Sequence, residues 1–199
     1  RGPAGEEPEQ TDDADRDQTT ERLLRAGGDL SGAAYALTGL GNIAEDIGHY
    51  DGAAEAFAEA NALFTQLGDD VNVAITHYHL GVVAVGEGDL SRAVALFEDA
   101  LARSGQTGDP WSTAASLSYL GLVRAWSGDV DGATGALREA LALYRHLGSP
   151  ERTVDAIQRV AVLATAQDSW AAATRLFAAC DTLGAELGLI KALPEREIY

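Results

Sequence analysis

The feature that most constrains this chain is a pattern that recurs every forty residues without a gap. The clearest copy runs from His77 to Ala100, HYHLGVVAVGEGDLSRAVALFEDA, and three more copies share its spacing. The coincident columns include Leu40, Leu80, Leu120 and Val160; Gly41, Gly81, Gly121 and Ala161; Ala53, Ala93, Ala133 and Ala173; and Phe57, Phe97, Leu137 and Phe177. A fixed period of this length indicates a repeat array, in which each unit buries its apolar face against its neighbours.

Each unit has the pattern of two antiparallel helices joined by a tight turn. In the second unit, apolar residues at helical spacing surround Leu80, and Gly88 can adopt the left-handed conformation that ends a helix. We expect Ser91 to cap the second helix, in which Ala93 and Phe97 lie one turn apart on the same face. The sequence therefore predicts that Phe97 is buried where the two helices approach closely.

The composition fits an array built from helices alone. Alanine is abundant, and the runs of β-branched residues between turns that mark strands are missing. Because neighbouring units stabilise each other, the length of 199 residues sets no limit on the core. We therefore predict an all-α solenoid of four forty-residue helix-turn-helix repeats, at residues 31–70, 71–110, 111–150 and 151–190.

The two ends of the chain differ from the repeats. Residues 1–20 carry seven acidic and two basic side chains and few large apolar ones, so we interpret them as a disordered acidic linker rather than a docking tail. The solenoid should then occupy residues 21–199, with partial helices near Leu23 and Pro194. Because the chain starts without Met, a basic region or an apolar signal core, we take it to be a fragment.

All four units carry Leu-Gly followed by Ala-x-x-x-Phe-x-x-Ala with few changes, a pattern that resembles the tetratricopeptide repeat over residues 31–190. The period exceeds the ~34 residues usual for that repeat, and longer helices would account for the difference. HEAT and armadillo repeats, at ~40 to 47 residues, are the alternative, but they do not explain these columns. The resemblance implies a right-handed superhelix whose concave groove is lined by the first helices.

No constellation of residues in the sequence points to catalysis. His77 and His79 lie two positions apart, which on a helix turns them about 200° away from each other, and no HExxH motif or second cysteine completes a metal site. We expect His77 to pack in a core column and Cys180 to be a small buried residue rather than a nucleophile. The glycine-rich turns lack phosphate-binding patterns. The sequence therefore predicts a non-catalytic protein without cofactor or metal.

The formal net charge of −17 restricts the partners of the chain. An acidic surface repels phosphate backbones and anionic lipids, so we expect no binding to nucleic acid or membranes. One cysteine permits no internal disulfide, and no apolar run reaches the ~18 residues of a membrane span. The sequence therefore predicts a cytoplasmic protein whose partner is a protein or peptide, and it leaves open whether the chain forms homo-oligomers.

The resemblance also implies which residues line the groove and bind that partner. They are Tyr35, Thr38, Asn42, Glu45 and Asp46 in the first unit, Tyr78, Val82 and Val85 in the second, Ser118, Leu122 and Trp126 in the third, and Asp155 and Gln158 in the fourth. The middle of this predicted groove is apolar and its first end is acidic, which favours an amphipathic helix or extended peptide with basic residues. The alternative is that its apolar residues only pack against neighbouring helices.

A second resemblance concerns the parent protein. Segments such as EAFAEANALFTQLGDD and AAATRLFAACDTLGAELG are similar to the C-terminal repeat region of large bacterial LuxR-type and antibiotic-regulator-type transcriptional regulators. In that family the array is a sensing and interaction region, while other domains bind DNA and hydrolyse ATP. The resemblance implies that this chain is such a region. A stand-alone receptor for a small molecule or a signalling peptide is the alternative.

Overall fold

The computed structural model describes residues 27–189, and this part of the chain contains eight α-helices and no strands. The helices are α1 (Leu30–Asp46), α2 (Tyr50–Leu67), α3 (Asp70–Gly86), α4 (Leu90–Thr107), α5 (Pro110–Trp126), α6 (Val130–His146), α7 (Pro150–Ala166) and α8 (Trp170–Glu186). They pack as consecutive pairs, which confirms the four predicted helix-turn-helix units. The expected acidic linker and both partial helices lie outside the described residues.

Longer helices account for the forty-residue period, as the sequence predicted. Every helix has 17 or 18 residues. The connections have only two or three residues, both within a unit and between units. The excess over the ~34 residues of a usual tetratricopeptide repeat therefore lies in the helices and not in the turns.

The turns combine a helix stop with a helix start in two adjacent residues. Gly88 takes the left-handed conformation (φ 78°), and Asp89 directly after it is the N-cap of α4. The Asp89 carboxylate accepts a hydrogen bond from the backbone N–H of Arg92 at 3.0 Å. The prediction that Ser91 caps this helix is wrong, because Ser91 already lies in its first turn and donates its hydroxyl to Asp89.

The core of each of the first three units contains a large side chain packed against a glycine. Phe97 is fully buried, which confirms its predicted face, and a β-carbon on Gly81 would lie only 2.5 Å from the Phe97 ring. Phe57 packs against Gly41 in the same way. Glycine in this column therefore allows the two helices of a unit to approach closely.

Neighbouring units are joined by one recurring set of contacts, which we call the unit interface. In its first copy, α3, the first helix of the next unit, packs its Leu80 and Val83 side chains against Tyr50, Ala53 and Phe57 of α2. The equivalent clusters are Leu90, Ala93 and Phe97 with Leu120 and Val123, and Val130, Ala133 and Leu137 with Val160 and Leu163. Repetition of the unit interface extends the helix pairs into a solenoid.

His77 has a polar role that its column did not predict. The column suggests a packing residue, but the His77 side chain is only partly buried and its Nδ1 contacts the carboxylate of Asp99 on α4. Arg103 also donates to this carboxylate, at 2.6 Å. Burial raises the pKa of Asp99, but the hydrogen bonds from Arg103 and His77 outweigh it and hold that pKa below its ordinary value.

The fourth unit is the least regular of the four. Asp168 adopts the left-handed conformation (φ 56°) that glycine has in the other turns, and Cys180 is fully buried in the alanine column, as expected. Ala161 stands where the other units have glycine. Phe177 is only half-buried, whereas Phe97 is fully buried.

Candidate partner-binding site

The first helices of the units, α1, α3, α5 and α7, lie side by side and form one layer of the solenoid, which we call the first-helix face. Between α1 and α3, the Asn72 side-chain amide donates to the Tyr35 hydroxyl at 2.9 Å. In the same helix pair, His79 Nδ1 lies 3.1 Å from Glu45 Oε2. Because the predicted groove residues all belong to these helices, their exposure determines what a partner could contact.

A stack of rings and one guanidinium joins α5 to its neighbours beneath this face. Tyr119 stacks on Phe97 with 5.5 Å between ring centroids, and the Arg159 guanidinium lies 4.1 Å from the Tyr119 centroid. Tyr78 meets Tyr119 edge to face at 5.6 Å. Arg159 also donates to the Ser118 hydroxyl at 3.1 Å. These contacts connect α3, α5 and α7 through their side chains.

Burial in this region changes the ionisation of its tyrosines and of Arg159. Burial and the neighbouring Tyr119 raise the pKa of Tyr78 well above its ordinary value. Burial also raises the pKa of Tyr144 to about 12. For Arg159, burial lowers the pKa, but the surrounding tyrosines and Asp155 outweigh it and raise the pKa overall. The layer therefore holds a permanent cation among neutral hydroxyls.

Three of the predicted groove residues lie beneath the face. Tyr78 is 6% exposed, Leu122 is 8% exposed, and Ser118 is fully buried. Their side chains contact neighbouring helices. For Leu122 this is the stated alternative to partner binding, in which apolar groove residues only pack against neighbouring helices. Six further predicted residues are half-buried: Thr38, Glu45, Val82, Val85, Asp155 and Gln158.

The remaining four predicted residues are exposed, and they form two separate groups. Tyr35 (55% exposed), Asn42 and Asp46 lie on α1, whereas Trp126 (42% exposed) ends α5. Burial and the adjacent Glu45 carboxylate raise the pKa of Asp46, because two neighbouring negative charges repel each other. The face thus has an acidic first end and an exposed aromatic ring farther along.

Trp126 borders a pocket of about 770 Å³ at the end of the described array, which we call the terminal pocket. Trp126, Gln158 and Val162 line it from the first helices, and Trp170 and Phe177 line it from α8. The pocket therefore brings together two predicted groove residues from different units. Asp181 is the one charged residue among those that line it.

The sequence prediction omits three residues that shape this region: Arg159, Trp170 and Phe177. Arg159 shares a column with the rings of His79 and Tyr119, and with Gly39 in the first unit; the two rings were a signal that this column faces neighbouring side chains. Trp170 begins the last second helix and is 62% exposed. The exposure of a side chain depends on which helices pack against it. The position of Trp170 in the repeat does not reveal this.

Within residues 27–189, no helix combines the length and apolar character needed to cross a membrane. Nor does that same stretch contain a group of three or more His, Cys, Asp or Glu side chains that could hold a metal ion.

Comparisons with known proteins agree with this fold. Family models described as tetratricopeptide repeat match residues 32–105 and 113–147, which together exceed half of the chain. No curated protein matches the chain significantly.

Solved structures with similar folds come from several proteins. BtubC from P. vanneervenii is 18% identical with a TM-score of 0.71, and the match covers 92% of this chain and 78% of that one. A putative kinesin light chain from Podosopora anserina with nearly identical TPR-like repeats is 14% identical with a TM-score of 0.58, covering 93% and 99%. MamA is 19% identical with a TM-score of 0.52, covering 88% and 94%. At these identities the similarity shows the fold alone.

Proposed function

Since the chain belongs to the tetratricopeptide repeat family, we propose that it binds a protein or peptide partner through its first-helix face and catalyses no reaction itself. A solenoid presents a long surface on which an extended partner can lie. The observation that carries the proposal is that this face leaves two large aromatic rings exposed, Tyr35 and Trp126. Such rings are favoured anchors at interfaces because they bury a large area with few rotatable bonds.

The charge of the face indicates the chemistry of the partner. Asn42 and Asp46 are exposed next to the half-buried Glu45, and the whole chain carries a formal charge of −17. An acidic surface attracts cationic molecules and speeds their association. The partner we propose is an amphipathic helix or extended peptide with basic residues at the end that meets α1.

We also propose a regulatory setting for this interaction, on the resemblance of segments such as EAFAEANALFTQLGDD to the C-terminal repeat region of bacterial transcriptional regulators. In this proposal the chain acts in the cytoplasm as the sensing region of a larger regulator. The terminal pocket supports a second candidate, a receptor for a small molecule or signalling peptide, because about 770 Å³ lies within the range of ligand sites. The full gene separates the two: upstream DNA-binding and nucleotide-binding regions favour the regulator, and a gene of repeats only favours the receptor.

The test of the binding proposal is a double variant, Tyr35→Ala with Trp126→Ala. Both side chains are exposed, so their removal leaves the core intact, whereas Tyr78→Ala would open a buried position. We expect partners recovered from the source organism by the wild-type chain to bind the double variant at least about tenfold more weakly, as for interface anchors. Affinity is measured by isothermal titration with the identified partner.

The matched control removes two exposed apolar side chains away from the first helices, Leu67→Ala with Leu147→Ala. This control variant should bind like the wild type. Equal affinity of all three proteins would place the binding surface elsewhere on the solenoid and refute the proposal.

A further inference from the structure

A groove of about 490 Å³ lies between the second helices of the second and third units, and we call it the outer groove. Its floor is α5, on which both α4 and α6 pack. Leu117 and Leu120 line the floor, and Leu101 of α4 and Ala136 of α6 line the walls. In the described array α1 and α2 precede the groove, and α7 and α8 follow it. Its shape is therefore set by helices that have neighbouring units on both sides.

Three charged side chains line the outer groove, and two of them pair with each other. Arg124 of the floor donates to Glu98 of α4 at 3.2 Å, and its Nε lies 3.8 Å from the Asp129 carboxylate. Glu139 of α6 is exposed, and its carboxylate forms no ion pair or hydrogen bond with any residue from 27 to 189. The lining therefore contains one carboxylate that pairs with no neighbouring cation.

The preceding unit shows what a carboxylate in this column binds. Asp99 of α4 lies forty residues before Glu139 and holds the same position in the repeat. The Asp99 carboxylate accepts a hydrogen bond from Arg103, one turn later in the same helix, at 2.6 Å. The imidazole of His77, on the first helix of that unit, contacts the same oxygen. Nitrogen donors from two sides thus engage the carboxylate in the second unit.

The third unit lacks both nitrogen donors. Leu143 stands in the column of Arg103, and Leu117 stands in the column of His77. Gly135 on the wall leaves open space, because no atom lies within 4 Å of a β-carbon built there. The outer groove therefore combines an unpaired carboxylate with an apolar floor and with room for a group from outside the chain.

We propose that the outer groove docks an arginine side chain of a partner protein, whose guanidinium binds Glu139 and whose aliphatic stem lies over Leu117. A guanidinium fits because its planar N–H groups match a carboxylate, as Arg103 shows at Asp99. The apolar floor suits the methylene groups of the stem. A volume of about 490 Å³ also leaves room for an apolar neighbour of the arginine. The formal charge of −17 attracts such a cationic partner.

This interaction surface is separate from the first-helix face. The walls of the outer groove belong to the second helices α4 and α6, and its floor is the side of α5 that they flank. Tyr35 and Trp126, which carry the proposed function, are not among the residues that line it. The two surfaces can therefore be tested independently.

The probe for the outer groove is the acetylated and amidated peptide Ala-Leu-Arg-Ala. Its control carries citrulline, which has the shape of arginine without the charge. Binding is followed by NMR of the ¹⁵N-labelled chain, because the backbone amides of Gly132 and Gly135 lie on the wall of the groove. We expect the arginine peptide to shift both glycine signals and the citrulline peptide to bind about fivefold more weakly, as for a partly exposed ion pair.

A charge-removing variant of the chain tests the assigned carboxylate. Glu139→Gln should weaken binding of the arginine peptide about fivefold. Its matched control is Glu55→Gln, which removes the same charge from an exposed position on α2 and should leave the affinity unchanged. Both side chains are exposed, so neither substitution disturbs the core.

A second variant supplies the missing guanidinium from within the chain. Leu143→Arg places an arginine one turn after Glu139, as Arg103 follows Asp99 in the second unit. That side chain should occupy the carboxylate and weaken peptide binding about fivefold. Leu147→Arg, which adds the same charge at an exposed position directly after α6, should not.

Several outcomes would overturn the proposal. Unshifted glycine signals would mean that Glu139 is a solvated carboxylate only. Equal affinity of the arginine and citrulline peptides, or of the wild-type and Glu139→Gln chains, would also contradict it. Glycine signals that shift with chain concentration in the absence of peptide would identify a second copy of the chain as the occupant. Tyr35→Ala with Trp126→Ala should leave peptide binding unchanged, so that the result does not depend on the function proposed for the first-helix face.

Discussion

At the scale of single residues, the inner units depend on a glycine that the last unit lacks. Glycine leaves room for Phe57 and Phe97 to be fully buried, because a β-carbon at Gly41 or Gly81 would overlap their rings. Closely packed interiors accommodate an added carbon only by moving a side chain or the backbone. In the last unit Ala161 holds this column, and Phe177 is half-buried and lines the terminal pocket.

The tyrosines beneath the first-helix face should make the fold sensitive to alkaline pH. The pKa of Tyr144 is raised from 10.0 to about 12 by burial, so the folded state favours the neutral hydroxyl. Its contribution to stability is complete below pH 10.0 and is lost as pH rises towards about 12. We expect Tyr144→Phe to reduce the decline in unfolding free energy over this range, measured by urea denaturation at several pH values. An identical decline in both proteins would contradict the assignment.

At the scale of the helix, the same glycine column sets the distance between paired helices. The column needs glycine for space and not for backbone conformation, since Gly81 lies inside α3 and is not among the glycines with positive φ. The turn glycines have the opposite requirement, because they adopt positive φ with open space around them. The repeat therefore conserves glycine within one unit for two different physical reasons.

A pair of glycine substitutions tests this distinction. Gly81→Ala should destabilise the protein by about 1–3 kcal/mol, because its β-carbon would overlap the buried Phe97 ring. Gly135→Ala in α6 is the matched control, since no atom lies within 4 Å of the new β-carbon. That substitution should stabilise the helix by about 0.5–1 kcal/mol. Thermal and urea unfolding measure both effects, and destabilisation of similar size at both sites would refute the packing argument.

At the scale of the whole molecule, the acidic charge and the repeated interface act together. Each unit is stabilised mainly by its neighbours, so the array presents one long surface and two ends. The formal charge of −17 gives the surface a negative potential that attracts cationic molecules. The first-helix face and the outer groove, the binding surfaces that we propose, therefore lie on a strongly acidic molecule.

This charge should make association with a basic partner depend on salt. Because ions screen exposed charges beyond about 8 Å at physiological ionic strength, the association rate should fall as salt is added. We expect Glu45→Gln with Asp46→Asn to weaken that dependence, and a control with the same charge change on second helices, Glu55→Gln with Asp131→Asn, to weaken it less. Stopped-flow kinetics over a salt series measure the rates. Equal salt dependence in the two variants would show that only net charge matters.

The sequence by itself determined the four helix pairs, their turns and the burial of Phe97, because these depend on a period that each unit repeats locally. The exposure of the groove residues was decided by tertiary structure. Register predicts the side of a helix on which a residue lies, but Tyr78 and Leu122 are buried because the next first helix lies close to that side. The terminal pocket likewise depends on how the helices pack in space. That Trp170 lines this pocket could therefore be recognised only from the structure.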